Sequence, residues 1–231
     1  AFIEKKPVIT QGFIGSSKSK EFTSLGREGS DYSAAIFAYV LNAKKLMVWK
    51  DVPGILNADP KKFDNTDKFD ELTYEEAIEM TYYGSKVLHP KTIKPLENKK
   101  IPMELRSFLD PDKQGTLIHK DAKFKPRPIY ITKENQVLLI FSSRDYSFMD
   151  QANLGTIFKA LSDHNLHMSM MSVSAISLYV CVDEIDRKIK ALESELTDEF
   201  VVEVDNRIEL LTIRHYHDSD PERFVKDREV V

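Results

Sequence analysis

Thr23-Ser-Leu-Gly-Arg-Glu-Gly-Ser-Asp31 is a polar loop carrying Gly26 and Gly29, and it runs directly into the helix pattern Ser30-Asp-Tyr-Ser-Ala-Ala-Ile-Phe-Ala-Tyr-Val-Leu41. Ser30 stands where an N-cap is expected, and Asp31 complements the positive end of the helix dipole. Ala34, Ala35, Ala38 and Leu41 share one face. Free backbone N–H groups at a helix start attract an anion, and glycines let backbone approach a ligand closely. Arg27 adds a planar fork suited to a carboxylate or phosphate, and Ser30 adds a hydroxyl. The same residues equally suit a glycine-containing loop with a capped helix and a solvated arginine, so this loop alone does not decide a function.

On either side the pattern alternates. Residues 7–14 read as a buried strand ahead of a polar loop over 15–29, and Leu46-Met-Val-Trp49 reads as the next strand. The turn-rich Asp51-Val-Pro-Gly-Ile-Leu-Asn-Ala-Asp-Pro60 follows at its carboxyl end, where open α/β sheets bind ligands. An ordinary Pro-Gly turn would look the same. Thr73-Tyr-Glu-Glu76 matches a capping box, with Gly84 closing that helix. His89-Pro90 opens a third helix, with His89 read as its cap and Lys86 just ahead of it. Residues 101–106 read as a strand on the same sheet. Strands and helices that alternate in this way give an α/β arrangement.

The stretch 110–127, rich in Pro, Lys and Asp, reads as a boundary, giving domains over 1–119 and 120–231. Beyond it come a strand (137–142), a helix (150–165), two strands (166–173 and 176–183), a helix (185–196) and strands at 200–204 and 208–213. That β-α-β-β-α-β order is ferredoxin-like. Such modules leave a sheet edge available to a second copy.

Composition narrows the function classes. Among 231 residues, 33 basic against 37 acidic side chains give a formal net charge of −4, which argues against a dedicated nucleic-acid partner. Wholly apolar runs such as Val137-Leu-Leu-Ile-Phe141 fall far short of the about 20 residues of a membrane span, so no membrane partner is expected. No signal peptide is read at the start, and the chain does not begin with Met. Both ends look cut from a longer chain. The single Cys181 reads as an apolar filler in a strand and points to a reducing, cytoplasmic setting. No His-Glu-x-x-His, paired Cys or nucleophile elbow is present, so metalloprotease and serine-hydrolase chemistry lack support and no resident metal site is expected.

Taken together, Val8-Ile-Thr-Gln-Gly-Phe-Ile-Gly15, Leu25-Gly-Arg-Glu-Gly-Ser-Asp-Tyr32, Trp49-Lys-Asp-Val-Pro-Gly54, Ala58-Asp-Pro60, Lys86-Val-Leu-His-Pro90 and Gly115-Thr-Leu-Ile118 resemble, in order and spacing, the aspartate kinases. The resemblance covers nearly the whole chain and continues into the second half, which looks like the family's ACT region. It implies an amino-acid-kinase-like open sheet, partial here, followed by a ferredoxin-like ACT domain, with a second ACT module incomplete after Val231. It also implies ATP with Mg²⁺, L-aspartate as acceptor and 4-phospho-L-aspartate as product.

By resemblance, Phe13, Arg27, Ser30 and Asp31 line the aspartate pocket, with Arg27 on a substrate carboxylate. Lys50, Asp51, Leu56, Lys61, Lys86 and Val87 contact the nucleotide, with Lys86 near the phosphates. Asp31 and Lys86 are the expected catalytic pair. Lys50 replaces the more usual Thr, and Leu56 and Lys61 stand where relatives more often carry Tyr and Arg. An amino-acid effector, lysine with threonine behind it, is expected near Ser147, Asp150, Leu154, Met168 and Ser169, between paired ACT modules of a homodimer. Ser169 stands where lysine-sensitive relatives place an Asp.

The family's Lys-Phe-Gly-Gly-type phosphate segment does not occur in this chain, so the chain alone is expected not to turn over substrate. Two other readings remain: a kinase for another small acid such as glutamate or acetylglutamate, and a sensing and dimerising module without catalysis. The 25–31 loop followed by an ACT pattern favours aspartate.

Overall fold

The computed structural model describes residues 6–26, 28–85, 87–216 and 230. The chain divides into two compact units, residues 1–131 with 212–231, and residues 132–211. Each has its own apolar core.

In the first unit, β1 (Ile14–Ser16) and β2 (Phe22–Ser24) form a two-stranded antiparallel ladder within the loop expected to be irregular. The buried strand expected over 7–14 is absent: Val8 and Ile9 are 46% and 99% exposed. Among the described residues no strand lies alongside them to take up their backbone groups, and an apolar run without a partner does not make a strand. Helix α1 (Gly29–Val40) buries Gly29, Ser33, Ala35 and Ala38. Leu41, expected on that face, is exposed.

Strand β3 (Leu46–Lys50) pairs in parallel with β5 (Met103–Ser107), which pairs antiparallel with β6 (Thr116–Ile118); β6 pairs in parallel with β4 (Glu71–Leu72). The sheet order is β3-β5-β6-β4. Helix α2 (Tyr74–Tyr82) starts at Thr73, whose hydroxyl accepts from the Glu76 N–H at 3.1 Å. Helix α3 (Pro90–Lys99) starts at His89, whose Nδ1 accepts from the Lys91 N–H at 3.1 Å, as the His-Pro pair suggested. Ile93, Leu96, Met103 and Leu105 are wholly buried between these helices and the sheet. Each such side chain contributes about 2 kcal/mol of apolar burial. Burial, with Glu97 nearby, pushes the Tyr74 hydroxyl up to about 12, and it stays a neutral donor to the Ile101 carbonyl at 2.6 Å.

The second unit is ferredoxin-like. Strand β7 (Ile129–Ser143) begins in the first unit and is followed by α4 (Gln151–Asp163), β8 (Met168–Val173), β9 (Ser177–Asp183), α5 (Asp186–Leu196) and β10 (Phe200–Arg214). The order β10-β7-β9-β8 places the first and third strands of the motif at the centre. Leu139, Phe141, Leu178, Val180, Ile157 and Leu192 meet in its core. The two strands expected at 200–204 and 208–213 are one continuous strand, which passes through the polar Asp205-Asn206-Arg207 segment with Arg207 at φ 63°. Cys181 is buried on β9, and burial raises its thiol above the ordinary range. Among the described residues no helix is long and apolar enough to cross a membrane.

Candidate functional site

The start of α1 is shaped by the chain segment crossing it. Gly12 and Phe13 lie against Gly29 and Ser30 so closely that a Cβ on Gly12 would sit 3.0 Å from Ser30 Cα, and one on Gly29 would sit 2.8 Å from the Phe13 ring. Phe13 itself adopts φ 76°, a left-handed conformation unusual for a bulky residue. Its N–H donates to Ser33 Oγ at 2.9 Å, and that hydroxyl donates to the Gly29 carbonyl at 2.8 Å. Ser33 thus fastens the segment to the helix. The sequence reading did not single it out.

Ser30 does not cap the helix. The N-cap is Glu28, in the left-handed region at φ 56°, with no side-chain cap bond. Ser30 is exposed one residue inside the helix, because the chain turns in through Gly26 and Glu28 instead. The Gly29 N–H donates to the Gly26 carbonyl at 3.0 Å, and the Tyr32 N–H to the Glu28 carbonyl at 3.3 Å. Arg27 lies outside the described residues, as does Lys86.

Asp31 projects from the first turn of α1 and meets Lys50 from the carboxyl end of β3, with Nζ 2.7 Å from Oδ2. Their side chains are 16% and 27% exposed, so the pair is partly shielded from water. A helix antiparallel to the strand that follows it brings its N-terminus to that strand's carboxyl end, which is how residues nineteen positions apart meet. Two residues singled out for different ligands therefore share one place. Asp51 is exposed in the turn directly after Lys50. The Phe108 N–H donates to the Lys50 carbonyl at 2.9 Å, prolonging the β3–β5 ladder to this end.

Leu56 is half-buried and pairs with Lys68 through an isolated antiparallel bridge. Lys61 is exposed, and its N–H donates to Asp59 Oδ1 at 2.9 Å. Val87 packs on the first core. Among the described residues no three His, Cys, Asp or Glu side chains gather closely enough to hold a metal ion.

In the second unit the residues expected at an effector site fall on the loop before α4 and on β8. Ser147 is exposed, donates its N–H to Asp145 Oδ1 at 3.0 Å and accepts the Ser143 hydroxyl at its carbonyl at 2.6 Å. Asp150 caps α4, its Oδ1 accepting the Ala152 and Asn153 N–H groups, each at 3.0 Å. Leu154 packs on the second core, and Met168 is exposed on β8. Ser169 Oγ accepts from Lys133 Nζ at 2.7 Å, and the same ammonium lies 2.8 Å from Asp183 Oδ1. Burial works against the Asp183 charge, but Lys133 and Gln136 hold its carboxyl below the ordinary range. Lys133 was not marked by the sequence; only the β7–β9–β8 order brings it beside Ser169.

Residues 2–107 match the amino acid kinase family. Over 178 residues the chain is 38% identical to lysine-sensitive aspartokinase 3 of Escherichia coli (strain K12), an alignment covering 76% of this chain and 39% of that protein. It is similar to the R-state crystal structure of E. coli aspartokinase III in complex with aspartate and ADP, with a TM-score of 0.81 and 34% identity over 92% of this chain and 49% of that one. Against the T-state structure of the same enzyme with lysine and aspartate, the TM-score is 0.76 at 34% identity, over 92% of this chain and 48% of that one. The chain spans less than half the length of these relatives. Its fold is an amino-acid-kinase-like α/β part followed by an ACT-like βαββαβ unit.

Proposed function

We propose, from the premise that this chain is an aspartate kinase segment belonging to the amino acid kinase family, that its first unit binds L-aspartate and Mg²⁺-ATP for transfer of the γ-phosphoryl group to the aspartate side-chain carboxylate. The products would be ADP and 4-phospho-L-aspartate. The observation that carries this reading is the meeting of Asp31 and Lys50 where the start of α1 faces the carboxyl end of β3.

The chemistry brings two anions together, so catalysis rests on positioning and on charge neutralisation. The N-terminal turn of α1 offers amide donors and a positive dipole end to the acceptor carboxylate. Phe13 packs against that turn, Ser30 lies within it, and Arg27 supplies a guanidinium for a substrate carboxylate. Asp31 keeps the Lys50 ammonium at the boundary between acceptor and nucleotide, where it can meet a phosphate oxygen. Asp51, Leu56, Lys61 and Val87 contact the nucleotide, and Lys86 supports the phosphates. Mg²⁺ carried by ATP would supply further charge neutralisation there. We read the protein as cytoplasmic.

The second unit binds an amino-acid effector, lysine ahead of threonine, through Ser147, Asp150, Leu154, Met168 and Ser169. It also pairs two copies of the chain. Support for pairing comes from β8, an edge strand in which Met168, Met170, Met171 and Val173 are exposed.

Trp49 is the chain's single tryptophan, 44% exposed and next to Lys50. Titration with Mg²⁺-ATP should change its fluorescence saturably, and GTP should compete weakly. A signal that stays flat through millimolar ATP, with calorimetry equally silent, would remove the nucleotide assignment.

A further inference from the structure

The loop that leaves β3 is fastened to the sheet by one buried hydroxyl. Thr116 is fully buried at the start of β6. Its Oγ1 accepts the Ile55 N–H at 2.8 Å and donates to the Phe69 carbonyl at 2.6 Å. The Phe69 N–H returns to the Ile55 carbonyl at 2.9 Å, closing the link between the two segments. Gly54 makes the approach possible: at φ 152°, a Cβ there would sit 2.5 Å from Thr116 Oγ1 and 3.0 Å from Lys68 Cδ. Gly115 does the same on the other side, where a Cβ would collide with the Leu105 carbonyl. Lys68 closes the cluster from the surface, its ammonium 3.1 Å from the Gln114 carbonyl, 3.0 Å from the Gly115 carbonyl and 3.1 Å from Asp70 Oδ1.

Thr116 bonds Ile55 directly, while Lys68 braces the Gln114 and Gly115 carbonyls just ahead of Thr116 and its backbone bridges Leu56. Loops usually carry function on a rigid support rather than being locked themselves. Here the lock falls between Asp51 and Leu56, the two residues of this loop assigned to the nucleotide. We propose that Thr116 and Lys68 are positioning residues for nucleotide binding, holding the 51–56 loop in the conformation that receives ATP. This rests on the nucleotide reading given above. Thr116 acts through the Ile55 and Phe69 backbone it holds, and Lys68 acts through the Gly115 carbonyl beside Thr116.

The test uses the full 231-residue chain. Calorimetric titration with Mg²⁺-ATP and, separately, with L-aspartate is combined with hydrogen exchange at the Ile55 amide. Thr116→Val removes the hydroxyl and keeps the shape; Thr116→Ser keeps the hydroxyl. With Thr116→Val the Ile55 amide should exchange faster and ATP affinity should fall about tenfold, while aspartate affinity stays within about twofold. Thr116→Ser should restore both readouts. If Thr116→Val does not fold, Lys68→Met carries the same expectation from the surface side. Faster Ile55 exchange with unchanged ATP affinity overturns the positioning role, as does equal loss for Val and Ser. A wild-type chain with a protected Ile55 amide and no ATP binding would instead fail the nucleotide reading, and the proposal with it.

Discussion

Lys50 Nζ stands 2.7 Å from Asp31 Oδ2, joining the last residue of β3 to the first turn of α1. On the proposed reading the pair sets an ammonium where the acceptor and nucleotide sites adjoin, and each group is the other's ion-pair partner. Replacing Lys50 with Met keeps the stem and deletes the charge. ATP affinity is expected to fall about tenfold, the worth of one charge-assisted contact. Calorimetry on the variant checks this, and an unchanged affinity would confine Lys50 to a structural ion pair.

Ser33 gives a prediction of opposite selectivity. Its hydroxyl carries the Phe13 N–H, so Ser33→Ala frees the segment crossing α1 and leaves a part-buried amide without its partner. The cost is about 1 kcal/mol, and it should show as weaker aspartate binding with ATP binding preserved. Equal loss for both ligands would mean that the whole unit has loosened.

Glu76 links the stability of the first unit to pH. It is 7% exposed at its side chain and accepts from Arg214 Nε at 3.0 Å, Arg214 Nη2 at 3.2 Å and lies 3.0 Å from His215 Nε2. Glu79 takes the remaining guanidinium arm at 2.8 Å. Burial pushes the Glu76 carboxyl up, but the hydrogen bonds and charges of Arg214 and His215 prevail and set it below its ordinary value of 4.5. Its folded pKa is the lower one, so the stabilisation is complete above the ordinary value and is lost as pH falls through the folded value. Glu76→Gln should lower stability by about 2 kcal/mol at neutral pH and flatten the acid limb of the Tm-against-pH curve. A variant whose acid limb matches the wild type would remove this assignment.

Much of the fold was legible because its signals are local. Thr73 and His89-Pro90 mark helix starts through bonds within three residues, and the β-α-β-β-α-β order follows from period alone. What escaped depends on distant partners. Glu76 matched a capping box, but its side chain turns to Arg214, 138 residues away. Ser30 looked like a cap, but Glu28 occupies that position because the chain enters through left-handed residues. The strand expected over 7–14 failed for the reverse reason, since its pattern was present and, among the described residues, a partner strand was not. At the site, glycines and charges were visible in the sequence. The hydroxyls of Ser33 and Thr116, and the ammonium of Lys133, became visible only through tertiary contact.

Pairing through β8 can be measured separately from ligand binding. Sedimentation velocity should give a dimer for the chain, and Met171→Lys, which puts a charge on the exposed edge, should give a monomer. A wild-type chain that sediments as a monomer at high concentration, or a Met171→Lys chain that stays dimeric, would move the interface elsewhere.

Aspartate recognition turns on the loop that enters α1 in the proposed reading. Titrating L-aspartate and L-glutamate into the chain and into Arg27→Ala by calorimetry tests it directly. The expected result is saturable heat with aspartate, little with glutamate, and loss of the aspartate signal in the Arg27 variant. No aspartate heat in the wild type, or the same heat in Arg27→Ala, would contradict it.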